Sequence, residues 1–122
     1  QNLCLYNMSE FFKSELVRGD IQEMSDLQQF CMRSMVAFPA LSPEKQMEYF
    51  NVLETLIEKQ KIFYHRLTLS DDPEAQEMAQ SMKDAVVMLG ASPTDNILEM
   101  FDDLTKKVSV MKSQLEAEGG LT

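Results

Sequence analysis

The sequence predicts an all-α fold, an antiparallel helical bundle of about four helices, on three observations. The stretch from Pro43 to Leu69 contains no glycine and no further proline, and as a helix rising about 1.5 Å per residue it would be roughly 40 Å long. Along it Phe50, Leu53, Leu56, Ile57, Phe63, Tyr64 and Leu67 recur at three- and four-residue steps, the spacing that puts side chains on one helix face. The 4 Gly and 4 Pro fall almost entirely outside such periodic segments, and no alternating run marks a strand.

In chain order, residues 1–7 precede Met8, the expected natural start. They lack the basic charge and apolar length of a signal peptide, so they are read as a non-native or disordered leader. The single domain is expected over 8–118. From Ser9 to about Val36 the positions Phe12, Leu16, Val17, Ile21, Met24, Leu27, Cys31 and Met35 keep helical spacing, which predicts the first helix. Gly19 lies inside it and is the expected place for a bend, because glycine costs about 1 kcal/mol relative to alanine in a helix. Phe38 to Leu41 form the connection.

The next three helices begin alike, at Ser42-Pro43, Asp72-Pro73 and Ser92-Pro93. A short polar side chain accepts from an orphan N–H, and proline at the first helical position gives up a donor that would have no partner. Glu44, Glu74 and Asp95 add negative charge to the first turns, where the helix dipole favours it. The second helix is the long Pro43 stretch. The third is predicted from Pro73 to Leu89, with a seam of Ala75, Met78, Met82, Ala85 and Leu89 closed by Gly90. The fourth is predicted from Pro93 to about Glu118, along Ile97, Phe101, Leu104, Val108, Met111 and Leu115; residues 119–122 are expected to fray. Short connections make neighbours antiparallel. The second and fourth helices exceed the third in length, which predicts that part of a long helix packs against a second copy as a homodimer.

Composition sets the class. At 122 residues, 44% hydrophobic and 25% charged, the chain suits one domain that buries its own core. A formal charge of -9 opposes nucleic-acid and anionic-membrane partners, whose affinity comes from Lys and Arg. No apolar run approaches the ~20 residues that span a bilayer. Cys4 and Cys31 form no zinc or disulfide spacing, and Cys31 reads as a small buried hydrophobe of a reducing cytoplasm.

No catalytic constellation, cofactor loop or metal site is read from the sequence. His65, the sole histidine, has Ile62 three residues earlier, where a carboxylate-bridged metal centre would place Glu. Glu99, Asp102 and Asp103 flank an apolar seam and read as its solvated side. The candidate partner-binding residues are Lys59, Lys61, His65 and Arg66, a basic gathering near a helix C-terminus that would dock an acidic partner. Phe11, Phe12, Ser14 and Glu15 form a second candidate surface, with Phe11, Phe12 and Phe38 as exposed anchors. Gln60 interrupts an apolar stripe, where a polar side chain can fix register or partnering. The 10 Met read first as core filling and second as an adaptable groove for a partner helix.

Several segments together carry a resemblance: Phe11-Phe12-Lys13-Ser14-Glu15-Leu16-Val17, Lys59-Gln60-Lys61-Ile62-Phe63-Tyr64-His65-Arg66, and Leu69-Ser70-Asp71-Asp72. Leu89-Gly90 with Pro93, then Met100, then Met111-Lys112 follow in the same order. The chain resembles the domain of unknown function numbered eighteen twenty-five, a helical family of cyanobacteria and their phages. The resemblance implies a soluble helical protein of this length and brings no catalytic residues. Tyr64 and His65 depart from the family pattern, which weakens a catalytic part for His65.

The expected function is therefore a small non-enzymatic protein–protein interaction protein, adaptor or regulatory, in the cytoplasm of a cyanobacterium or of a phage-infected one. The alternative is a helical bundle that binds a small ligand or metal in an internal pocket.

Overall fold

The computed structural model describes residues 9–88 and 96–119. Among the described residues five helices follow one another: α1 Glu10–Lys13, α2 Glu15–Ala37, α3 Pro43–Thr68, α4 Pro73–Met88 and α5 Ile97–Gly119, with a 3-10 turn at Phe38–Ala40 between α2 and α3. No strand occurs among the described residues. The all-α class holds, and α3 (26 residues) and α5 (23 residues) exceed α4 (16 residues), as the periodicity predicts.

The local start signals act as predicted where they are described. Ser42 Oγ accepts from the Lys45 N–H at 3.3 Å, and Asp72 Oδ1 from the Glu74 N–H at 2.9 Å. The boundary expected at Ser92-Pro93, the stop at Leu89-Gly90 and the leader lie outside the described residues. The described start of α5 is Ile97, where Asn96 Oδ1 accepts from the Leu98 N–H at 2.9 Å.

The first predicted helix is corrected. It is interrupted at Ser14, which leaves helical geometry at φ -61° and ψ 132° while its hydroxyl accepts from the Val17 N–H. Gly19 runs unbroken through α2, with open space where a Cβ would stand. The cap at Ser14 gives the backbone a rival to the helical ladder, which glycine lacks. Four seam assignments also change. Leu16 and Met35 on α2 are exposed, and on α4 Val86 is buried where Ala85 had been expected. Met111 is likewise exposed near the end of the α5 seam.

Helix α3 is the common neighbour, packed against α2, α4 and α5, and α4 also meets α5. Ion pairs show direction. Lys59 pairs with Glu23 and Arg66 with Asp20, so numbers rise along α3 as they fall along α2; Glu54 pairs with Lys112 and Lys61 with Asp102, so α5 runs against α3 in the same way. The core has two buried clusters, one around Phe12, Met24, Phe63, Leu67 and Ala75, the other around Phe50, Ile57, Met100, Phe101 and Leu104. Tyr49, Leu53, Tyr64 and Met82 pack against both and join them. At the α2–α3 corner Phe38, Tyr49 and Phe50 form an aromatic triad with ring centroids 5.3 to 5.5 Å apart, a spacing at which edge-to-face packing adds to area burial.

Candidate functional site

The structure divides the basic gathering on α3. Lys59 and Arg66, one heptad apart, both turn to α2; Lys59 Nζ lies 2.9 Å from Glu23, and the Arg66 guanidinium donates to Asp20. Lys61 turns to α5 and lies 3.3 Å from Asp102. His65 is exposed. Each of the three permanent cations thus meets an acid of a neighbouring helix, and they make no single basic face. Such half-exposed pairs contribute roughly 0.2 to 1 kcal/mol each. Their clearer effect is to fix the register of α2 and α5 on α3.

The second candidate surface is divided, its two rings turned inward and its Ser14 and Glu15 exposed. Phe12 is buried and Phe11 half-buried, so neither is an exposed anchor, and Phe38 is half-buried in the aromatic triad. The two N-terminal rings meet edge to face at 5.0 Å, and Phe11 lies 6.3 Å from Phe63 of α3. Ser14 is the cap of α2, and Glu15 is exposed in its first turn.

What holds α1 there is a pair of carboxylates from the α3–α4 corner. Ser9 makes no side-chain cap for α1. Instead its N–H donates to Glu74 Oε1 at 2.8 Å, and the Phe11 N–H donates to Asp72 Oδ2 at 3.4 Å. The other Asp72 oxygen caps α4, so one carboxylate serves two helix N-termini. Its pKa is held below the ordinary carboxylate range by the neighbouring Ser9 hydroxyl first, with the N–H groups of Glu74, Phe11 and Ala75 adding to the effect and partial desolvation opposing it. The sequence marks Asp72 as a cap for α4; its second partner is 61 residues away and leaves no local trace.

A groove of about 440 Å³ opens between α2 and α4, with Gln60 and Phe63 of α3 as its floor. Ile21, Met24, Met78, Met82 and Val86 supply apolar lining, while Ser25, Gln28, Gln60 and Ser81 supply uncharged polar groups. Gln60, the polar interruption in the α3 stripe, is explained by this opening. Met32, Met35 and Val36 at the end of α2 and Met88 at the end of α4 are exposed by 59% to 87%. Cys31 is buried, and desolvation pushes its thiol pKa up, so the thiolate that would react is disfavoured.

Among the described residues no group of His, Cys, Asp and Glu is placed to hold a metal ion, and no helix is long and apolar enough to cross a membrane. A family model described as Domain of unknown function (DUF1825) matches residues 9–115. No curated protein and no solved structure matches the chain.

Proposed function

The chain belongs to the DUF1825 family, and from that premise we propose that it is a small non-enzymatic helical-bundle protein that works in the cytoplasm by binding another protein. The observation that carries this reading is the groove between α2 and α4. Its methionines adapt their shape to an inserted side chain, and its polar groups are amides and hydroxyls, which offer hydrogen bonds without acid–base chemistry near neutral pH. The exposed Met32, Met35, Val36 and Met88 supply further apolar contact. An apolar helix face is the fitting occupant. The paired cations Lys59, Lys61 and Arg66, with His65, Glu15 and Ser14, belong to the surrounding surface rather than the contact itself. Two copies associate as a dimer in this reading.

Full-length protein used as bait in a cyanobacterial lysate should capture a partner that a variant with Ser81→Arg, filling the groove from an exposed position, holds at least roughly tenfold more weakly. Equal capture by both proteins, with matched thermal unfolding, would remove the groove from the interface.

A second reading is favoured by the same volume, which lies within the roughly 300 to 1,000 Å³ of small-molecule clefts. Native mass spectrometry of the freshly purified protein separates the two. A retained small molecule lost in the Ser81→Arg variant supports the cleft, and a bare chain supports the protein partner.

A further inference from the structure

Helices α1 and α2 are one helix in sequence and two in space. In sequence Phe12, Leu16, Val17, Ile21 and Met24 read as one helical stripe, yet Leu16 is exposed and the chain turns out of the helix at a single residue, Ser14, whose ψ is 132°. A helical ψ is about -42°. Returning that one angle to the helical range would join α1 to α2 as one rod and carry Phe11 and Phe12 away from the body.

A helix of four residues has no stability of its own, so the position of α1 is set by its seat. The Ser9 N–H reaches Glu74, the Phe11 N–H reaches Asp72, and the Phe11 ring meets Phe63. None of these partners belongs to α2. A second molecule therefore offers the same seat to the same segment, and only the hinge differs between the two arrangements. In a lone copy straightening is opposed by exposure of Phe12, now 9% accessible. In a pair that opposition disappears, because each vacated seat is refilled.

We propose that α1 is exchanged between two copies of this chain, with Ser14 as the hinge and with Phe63, Asp72 and Glu74 of one copy receiving Phe11 and Phe12 of the other. Exchange of an identical element between protomers is a low-cost route to a dimer, since it reuses contacts already present in the monomer. The inference rests on the reading of the chain as self-associating and names the element through which the copies join.

The test follows the hinge. Ser14→Ala removes the cap of α2 and supplies a better helix former, so it should favour the straight form roughly tenfold per hinge, and about a hundredfold for a dimer with two hinges. Ser14→Pro keeps a φ near the observed -61° but is excluded from the middle of a continuous helix, and it should shift association the other way. Solution mass measured over a range of concentrations reads both. For the exchange itself, Glu10→Cys with Asp71→Cys, exposed neighbours of the Ser9 and Asp72 contacts that leave the seat intact, in a Cys4→Ser background, is treated with a bis-maleimide and its mass read under denaturing conditions. Links between chains are expected under conditions where the protein is dimeric. Dimers carrying links only within chains would overturn the exchange while leaving self-association standing. Monomers alone at every concentration, for the native chain and Ser14→Ala alike, would overturn both.

Discussion

Asp72 shows how much one side chain settles here. Its carboxylate serves the starts of α1 and α4 together, and its pKa lies below the ordinary range. A group whose folded pKa is depressed stabilises above its unfolded value, about 3.9 for Asp, and that contribution fades as pH falls through the lower folded value. Thermal unfolding should therefore give the native chain its full advantage over Asp72→Asn near neutral pH, and the advantage should shrink only below about pH 4. A difference that is flat from pH 7 to pH 2 would mean that the charge is not what matters. The cap on α4 is legible in the sequence because Asp72 and Glu74 are two residues apart. The bond to Phe11 and the Arg66 pair with Asp20 are not, since they join positions 61 and 46 residues apart that only the fold brings together.

Helix starts were readable wherever the partners were local, as at Ser42 and Asp72, and the long stripes of α3 and α5 were readable because each buries one face throughout. The single interruption in the N-terminal helix was not. Glycine is the residue whose helical cost is known in advance, and Gly19 drew the expectation; Ser14 broke the helix because distant carboxylates reward the turn. Gly19 remains open to improvement. Its position is helical, and a Cβ there meets nothing within 4 Å. Gly19→Ala should stabilise the protein by roughly 0.5 to 1 kcal/mol in denaturant unfolding. A loss of stability would show that α2 bends at this point in solution.

At the scale of the molecule, the apolar patterning was enough for the all-α class and for the unequal helix lengths, while the division of the basic residues between two flanks depended on which neighbours α3 would meet. Lys59, Lys61 and Arg66 read as one cluster along the chain and as two opposite contacts in space. The same central position of α3 has a dynamic consequence. Helices α2, α4 and α5 all pack on it, whereas α2 shares no comparable contact with α4 or α5. Loosening α2 therefore leaves the α3–α5 pair intact, but loosening α3 dismantles everything. Amide hydrogen exchange should accordingly be graded, faster in α2 than along the middle of α3 and the facing turns of α5. Equal protection in all helices would mean that the molecule opens only as a unit.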